Sequence, residues 1–283
     1  LYYNHASPEI TDAQFDALWD ELKQLDPNHE ILHQVGPEPL PGTVKVEHRF
    51  PMRSLDKGTT DEDIIHFVNQ STSGGLRYLA QPKLDGSALS LEYVAGNLHR
   101  AATRGSGERG EDVTLNAKMV ANIPLRLNLP VDCHVRGEVV MPLDVFETKY
   151  KDVSPNPRNL CSGALRQKHG DGKAKASDLV FCAYDVKFVS NPPTMLNDSE
   201  LLDYLQNSIG IEPAPWRVFE SKTPHAEMID YTLEWSQKRS SYDYEIDGIV
   251  FKLDNLEQRE RLGSTAHHPR WALAWKFPPE EAT

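Results

Sequence analysis

The sequence predicts an α+β fold in which antiparallel sheets are flanked by helices, with a small helical unit at the N-terminus. Several segments alternate apolar and polar residues with period two, which is typical of strands that bury one face. Helical spacing appears in only a few stretches, and strands and helices do not alternate regularly, which argues against a doubly wound parallel sheet. Residues 36–42 are rich in Pro and Gly, which predicts a linker between a unit at 1–42 and a larger domain at 43–283.

The predicted helices follow from the spacing of their apolar residues. In the N-terminal unit, apolar side chains recur at helical spacing at Phe15, Leu18, Trp19, Leu22 and Leu25. Thr11 and Gln14 fit a capping box before this run, and Pro27 ends it. Further helices are predicted near residues 61–70, 199–208 and 225–239.

The predicted strands follow from alternation. Leu89, Leu91 and Tyr93 alternate with polar neighbours, and Gly96-Asn97 is a plausible turn before a partner strand at Leu98–Ala102. Other strands are predicted around residues 135–139, 180–189, 249–253 and 271–277. No run of about 18 apolar residues occurs, so no membrane span is expected.

Composition describes a protein of 283 residues with a net charge of −12. Three cysteines cannot form a disulfide framework and show no paired zinc spacing, so we expect reduced thiols in the cytoplasm. Taken as a whole, the charge argues against a polyanionic partner. The acidity is concentrated, however: residues 1–42 carry −7 and residues 192–245 carry −6, so the remainder carries +1.

Three predicted strands place a polar residue on a face that is otherwise lined by small or modest side chains. Lys276 shares its face with Ala272 and Ala274, opposite an apolar face that we expect to form core. Lys252 shares its face with Gly248 and Val250, and Glu138 with Arg136. A solvated sheet face explains one such strand. Three of them, carrying two lysines and a glutamate, also fit a pocket for an anion and a metal.

The segment Lys83-Leu84-Asp85-Gly86 lies between two predicted strands, where we expect a tight turn. A lysine fixed near other cations, such as Lys252 and Lys276, would have a lowered pKa and act as a nucleophile. An exposed turn lysine is the alternative, because so short a motif recurs by chance.

Two further segments suggest contact with phosphate. Arg104 lies in the Gly-rich segment 103–107, where backbone N–H groups and a guanidinium can approach phosphate or ribose. Residues 155–159 and 166–169 read as a basic loop region that could meet a nucleic-acid backbone. Most Gly-rich segments are only turns, whereas a solvated basic loop and a nucleic-acid contact explain the second segment equally well.

The order of these segments resembles that of covalent nucleotidyltransferases, which include DNA ligases, RNA ligases and mRNA capping enzymes. The shared motifs, in order, are 83–86, 136–138, 181–184, 245–252 and 275–277. Further stretches resemble NAD-dependent DNA ligases in particular, namely 8–12, 51–56, 103–105, 110–114, 156–159 and 165–167. The resemblance covers essentially the whole chain.

The resemblance implies that Lys83 attacks the α-phosphate of NAD, releases nicotinamide mononucleotide and carries AMP toward the 5′-phosphate of a DNA nick. It implies a catalytic set of Lys83, Asp85, Glu138, Lys252 and Lys276, with the two later lysines at phosphate. Mg²⁺ would be held, through water, by Glu138 and Asp247. The nucleotide would contact Ser54, Leu55, Gln81, Leu84, Arg104, Glu138, Tyr184, Lys252 and Lys276, and Arg158 and Arg166 would lie near the nucleotide or the nick.

The unit 1–42 resembles the small subdomain that grips nicotinamide mononucleotide, with matching positions at Tyr2, Tyr3, Asp12, Phe15 and Asp16. Phe15 also fits the apolar stripe of its helix, and Asp12 is also a favoured first-turn acid.

The chain departs from the family pattern at a few positions. Gln81 stands where a glutamate is usual, Phe15 where a tyrosine is usual, and Ser106 where an aspartate is usual, while Cys161 and Ser162 interrupt a stretch usually rich in alanine.

Since the chain begins inside the helical unit and ends soon after Lys276, we expect a monomer that adenylates itself but seals nicks poorly. We expect it to bind nicked duplex DNA weakly, with an affinity that falls steeply as salt rises. An ATP- or GTP-dependent nucleotidyltransferase and a catalytically idle nucleic-acid-binding module remain as alternatives. Labelling by ATP alone would favour the first, and DNA binding without any adenylate would favour the second.

Overall fold

Strands and helices combine as the predicted α+β class requires. The computed structural model describes residues 12–27, 29–33, 43–71, 77–168, 172–265 and 268–278. The predicted linker at 36–42 and Thr11 of the predicted capping box lie outside the described residues.

The strands, in chain order, are β1 (Lys45–Glu47), β2 (Asp56–Gly58), β3 (Tyr78–Leu84), β4 (Ser87–Val94), β5 (Asn97–Thr103), β6 (Arg109–Glu111), β7 (Cys133–Val140), β8 (Val180–Phe188), β9 (Arg217–Phe219), β10 (Ile246–Leu253) and β11 (Ala272–Lys276). One sheet has the order β2-β11-β10-β3-β9, a second has the order β5-β4-β7-β8, and β1 pairs with β6. The pairs are antiparallel, as predicted, except that β2 runs parallel to β11. The long chain between those two strands makes a parallel pairing possible.

The longer helices are Asp12–Leu25, Asp61–Gln70, Pro157–Arg166, Asp198–Tyr204, Pro224–Lys238 and Leu256–Leu262. Shorter helical segments cover Glu30–His33, Thr114–Ala117, Leu143–Val145, Phe146–Tyr150, Ala176–Asp178, Leu205–Ile209 and Arg239–Ser241. The predictions at 61–70, 199–208 and 225–239 are confirmed, the second as Asp198–Tyr204 continued by a π-helical turn. The N-terminal helix ends at Leu25, before Pro27, as expected.

Each large sheet buries one face in its own core. The five-stranded sheet packs Ile249, Phe251 and Trp275 against the helices Asp61–Gln70 and Pro224–Lys238. The four-stranded sheet buries a separate cluster that includes Leu89, Leu91, Val135, Val139 and Leu165. A small cluster of Leu84, Val140, Cys182 and Ala214 joins the two sheets, next to the faces that carry polar residues.

Two local expectations were wrong. The turn of the first hairpin is Ala95-Gly96, one residue earlier than expected, and strand β5 already begins at Asn97. The expected basic loop region contains the helix Pro157–Arg166. It forms because the Asn156 side chain accepts a hydrogen bond from the Asn159 N–H at 3.0 Å, and because proline is favoured at the first helical position.

The three cysteines, Cys133, Cys161 and Cys182, are free and buried. Among the helices of the described ranges, none combines the length and the apolar character that crossing a membrane would require.

Candidate active site

The polar face of the five-stranded sheet carries the predicted lysines. Lys276 lies on the face opposite Leu273, Trp275 and Phe277, which belong to the core, as the alternation predicted. The pairing of β3, β10 and β11 aligns Lys83, Gly248 and Lys276 in one row across the sheet. Glycine is needed at the middle of this row, since a Cβ atom on Gly248 would lie 2.0 Å from the carbonyl oxygen of Trp275.

A β-bulge brings Asp247 to this row. The register of β10 against β3 shifts between Ile246 and Gly248, so Asp247 is the extra residue. Both of its carboxylate oxygens accept hydrogen bonds from Lys83 Nζ at 2.9 Å. Its Oδ2 atom is 4.0 Å from Lys276 Nζ. The bulge therefore places one carboxylate between two lysines from neighbouring strands.

Lys83 differs from its prediction in two respects. It belongs to strand β3 and precedes the turn, which is formed by Asp85 and Gly86. Burial by itself lowers the pKa of Lys83, but the carboxylate of Asp247, helped by two further acids, raises the pKa above its ordinary value. The expected lowering of the Lys83 pKa is wrong because the largest charge effect on Lys83 comes from a carboxylate and not from a second cation.

The turn after Lys83 is closely packed. A Cβ atom on Gly86 would lie 2.1 Å from the Val139 carbonyl oxygen, so only glycine lets the hairpin approach β7. Asp85 pairs with Arg158 of the helix Pro157–Arg166 at 2.9 Å. This ion pair ties the lysine hairpin to the N-terminal end of that helix.

Glu138 lies on β7, with its side chain half-buried on the same strand face as Arg136. Burial raises the pKa of Glu138 to about 7. Positive charges counter part of this effect, and they come from Lys83, Arg158 and Arg104. A carboxylate from the second sheet therefore shares an electrostatic environment with the nucleophile candidate on the first.

A second polar cluster lies further along the same sheet face. Lys252 is level with Leu79, four positions along β10 from Gly248. Lys252 Nζ donates to Gln81 Oε1 at 2.8 Å and to the Tyr184 carbonyl oxygen at 2.7 Å, and it lies 3.3 Å from Asp198 Oδ2. The register places Lys252 level with Leu79, whereas Gly248 is level with Lys83, so the positive charge that we expect Lys252 to supply near Lys83 stays a prediction.

The buried cluster around Lys252 contains two residues that the sequence reasoning missed. Asp198 begins a helix and pairs with Arg259 at 2.8 Å as well as with Lys252. Burial lowers the pKa of Lys252, and the charge of Asp198 offsets part of that effect. In the sequence, Asp198 follows Asn197 at a helix start, and a first-turn acid there has an ordinary explanation in the helix dipole.

Tyr184 also occupies a bulge. Between Arg136 and Gly137 the register of β7 against β8 shifts, and Tyr184 is the extra residue on β8. Its neighbour Asp185 pairs with Arg136 at 3.3 Å. A β-bulge changes the direction of the side chains beside it. In each large sheet a bulge falls on a residue of a family motif, Asp247 in the first sheet and Tyr184 in the second.

The remaining predicted contacts lie around these two clusters. Leu84 lies in the small cluster between the sheets. The backbone N–H of Arg104 donates a hydrogen bond to the Ala88 carbonyl oxygen at 3.3 Å. The loop that carries Ser54 and Leu55 contacts the Gly-rich loop, because the Met52 N–H donates to the Gly107 carbonyl oxygen at 2.8 Å. Arg166 pairs with Glu111 at 2.7 Å.

Some predicted residues are not described. Tyr2 and Tyr3 lie outside the described residues. Asp12, Phe15 and Asp16 fall in the helix Asp12–Leu25, but their side chains are outside the description.

Metal ligands were also predicted. Within the described part of the chain, no group of three or more His, Cys, Asp or Glu side chains is arranged to hold a metal ion. Mg²⁺ is commonly held by only one or two carboxylates together with water and substrate phosphates, so the carboxylates of Glu138 and Asp247 fit that mode and not an all-protein cage.

A comparison with protein families matches residues 42–280 to the NAD-dependent DNA ligase adenylation domain. Among curated relatives, a DNA ligase of Brevibacillus brevis is 40% identical over 100% of this chain and 44% of its own length. A DNA ligase of Natranaerobius thermophilus is 37% identical over 99% of this chain and 45% of its own length. The chain thus spans somewhat less than half the length of these relatives.

Solved structures give weaker similarity. An archaeal ATP-dependent RNA ligase aligns with a TM-score of 0.46 and 14% identity, over 84% of this chain and 50% of the other. A mycobacterial DNA ligase D complexed with ATP and MES aligns with a TM-score of 0.40 and 16% identity, over 78% of this chain and 58% of the other.

Proposed function

The chain belongs to the family of NAD-dependent DNA ligase adenylation domains, and on that premise we propose that Lys83 accepts AMP from NAD. The observation that carries the proposal is the row formed by Lys83, Asp247 and Lys276, with Glu138 facing it from the second sheet. A primary amine held at a fixed point among cations and carboxylates suits nucleophilic attack on a phosphate.

The proposed step forms a bond between Lys83 Nζ and the α-phosphorus and breaks the bond from that phosphorus to the departing nicotinamide mononucleotide. Before attack, Nζ must lose a proton, and Asp247 lies within hydrogen-bond distance to accept it. Lys276 is placed to neutralise the charge that develops on the phosphate oxygens. Asp85 acts by holding the hairpin through Arg158.

A bound Mg²⁺, contacted through water by Glu138 and Asp247, would supply further positive charge at the phosphate. Toward that ion, the protein contributes two carboxylates on separate sheets. Both are near Lys83, so the ion and the amine would approach the same phosphate.

The two halves of NAD are proposed to bind on opposite sides of Lys83. The AMP half, which includes the α-phosphate, would contact Gln81, Leu84, Arg104, Tyr184, Lys252, Ser54 and Leu55. The nicotinamide half would contact the N-terminal unit through Tyr2, Tyr3, Asp12, Phe15 and Asp16. Nicked DNA would then meet Arg158 and Arg166, whose ion pairs with Asp85 and Glu111 would have to exchange for DNA phosphate.

Intact mass spectrometry after incubation with Mg²⁺ and either NAD or ATP tests this function. We expect a mass gain of one AMP with NAD and none with ATP, and no gain in Lys83→Ala with either. A gain with ATP alone would indicate the ATP-dependent class. Binding of nicked DNA without an adduct from any nucleotide would indicate an idle module.

A further inference from the structure

The imidazole of His48 lies against the backbone of the Gly-rich loop at 103–107. His48 directly follows strand β1, and its Nε2 atom is 3.0 Å from the Thr103 carbonyl oxygen and 3.2 Å from the Arg104 carbonyl oxygen. Both neighbours can only accept, so Nε2 carries the hydrogen and donates it. Burial lowers the pKa of His48 below its ordinary value of 6.5, so the ring is mostly neutral at pH 7. One neutral ring therefore binds two consecutive carbonyl groups of the loop.

The packing around this ring depends on the residue at position 110 of strand β6. A Cβ atom on Gly110 would lie 1.8 Å from the Thr103 carbonyl oxygen and 3.0 Å from His48 Nε2. Any larger residue would push the loop away from the ring. The sequence thus keeps open the space in which the His48 contact forms.

The segment that follows His48 is tied both to this loop and to strand β7. The Met52 N–H donates to the Gly107 carbonyl oxygen, as described above. The Phe50 carbonyl oxygen accepts a hydrogen bond from Arg136 Nη2 at 2.5 Å. Because β7 anchors this segment, the His48 ring holds the loop from a fixed support.

Arg104 is the loop residue whose charge reaches the candidate active site. Burial raises the pKa of Glu138 and of Tyr184, and the positive charge of Arg104 acts against that rise at both residues. The Arg104 carbonyl oxygen accepts from the Gly107 N–H at 3.0 Å and from His48. Since the side chain leaves the same backbone unit that these bonds hold, they help to determine where the guanidinium lies.

We propose that His48 is a positioning residue for adenylation, because it holds the Arg104 backbone so that the guanidinium meets the AMP half of NAD. This inference rests on the proposed function, since it requires NAD to bind beside Lys83. His48 acts through the loop backbone and need not touch the nucleotide. A displacement of about 1 Å in a group that positions the substrate can cost about 10²-fold in rate, so loss of the His48 bonds should be measurable.

The test compares His48→Met with His48→Gln, whose side chains are of similar length. Gln keeps an N–H donor that can reach the loop carbonyls, and Met has none. The rate of adduct formation per unit NAD concentration is measured by intact mass with Mg²⁺ present. We expect His48→Met to lower this rate at least about tenfold and His48→Gln to recover most of the loss. His99→Met is the matched control, because His99 is exposed on β5, the strand that leads into the same loop, and it should leave the rate unchanged.

A second background separates positioning of Arg104 from general support of the fold. In a chain that already carries Arg104→Met, adding His48→Met should lower the rate by no more than about twofold, because the group that His48 positions is gone. A histidine that only supports the fold would lower the rate by the same factor in both backgrounds. Adduct formation is followed in single turnovers over long incubations, so that slow rates remain measurable.

Thermal unfolding shows whether each variant is folded. If His48→Met is not, His48→Phe replaces it, since Phe keeps a ring but lacks the donor. The proposal is overturned by an unchanged rate in the folded variant without a donor, by equal losses with Met and Gln, or by the same loss in both backgrounds. Absence of any adduct with NAD in the unsubstituted chain would instead refute the proposed function.

Discussion

The two lysine clusters on one sheet face differ in how far water reaches them. At the Lys83 end, the side chains of Lys83 and Asp247 are 30% and 27% exposed, and that of Lys276 is 22% exposed. At the Lys252 end, the side chains of Lys252 and Asp198 are 8% and 2% exposed. The same residue types therefore form an accessible cluster at one end and a dry cluster at the other.

This difference separates two tasks. An ion pair that water reaches is weak and can exchange its partner for a phosphate group, which a reacting amine must do. A buried ion pair is fixed, because neither partner can be left without the other. The ion pairs of the accessible end are thus free to exchange partners, and those of the dry end hold their side chains in fixed positions.

The largest effect on stability is expected from Asp198→Asn at the dry end. The substitution leaves Lys252 and Arg259 buried without their carboxylate, and loss of one partner from a buried pair typically costs about 3–5 kcal/mol. Urea unfolding at pH 7 measures the loss. A change below about 1 kcal/mol would mean that water reaches this cluster, contrary to the comparison.

The same variant gives a pH dependence. Burial alone raises the pKa of Asp198, but the charges of Arg259 and Lys252 outweigh it and hold the pKa well below the ordinary value of 3.8. A lowered pKa contributes stability that is complete above the ordinary value and is lost as pH falls below it. We therefore expect the difference between the unsubstituted chain and Asp198→Asn to be constant from pH 8 to about 4 and to shrink below that. A stability difference that grew below pH 4 would contradict a lowered pKa for Asp198.

At the accessible end, Lys276→Ala should reduce adenylation more than it reduces stability. Removing one positioned donor to developing negative charge typically slows a reaction about 10²–10³-fold. Single-turnover adduct formation with saturating NAD measures this effect, and urea unfolding provides the control. Loss of stability comparable to that of Asp198→Asn would remove the distinction between the two ends.

The smallest loss of stability is expected from Asp247→Asn at the accessible end. Asp247→Asn makes the same chemical change as Asp198→Asn, but its ion pairs with Lys83 and Lys276 are partly exposed, so we expect a loss of about 1 kcal/mol or less in the free energy of unfolding. The two variants are measured side by side in urea without nucleotide or Mg²⁺. Equal losses in the free energy of unfolding would show that the ion pairs at the two ends do not differ in strength with their exposure.

The sequence predicted those features that depend on periodicity. Alternation in β11 correctly assigned Leu273, Trp275 and Phe277 to the core and Lys276 to the opposite face, and apolar spacing located the helices Asp61–Gln70 and Pro224–Lys238. The helix Pro157–Arg166 was missed because basic and polar residues mask its apolar positions, although Asn156 and Pro157 are typical of a helix start.

Features that depend on pairing across the sheet were not accessible from periodicity. The bulges at Asp247 and Tyr184 shift register by one residue, and nothing in a period-two pattern marks them. Register also places Lys252 level with Leu79 and not with Lys83. The Asp247 contact that raises the pKa of Lys83 follows directly from one of these bulges.

Locating the AMP on the adenylated chain tests the division between the two ends most directly. The chain is incubated with NAD and Mg²⁺, digested, and its peptides are sequenced by mass spectrometry to find the modified lysine. We predict that AMP is attached to Lys83 alone, at the accessible end, and that Lys252 and Lys276 remain unmodified. AMP on Lys252, or an adduct that persists in Lys83→Ala, would contradict the account.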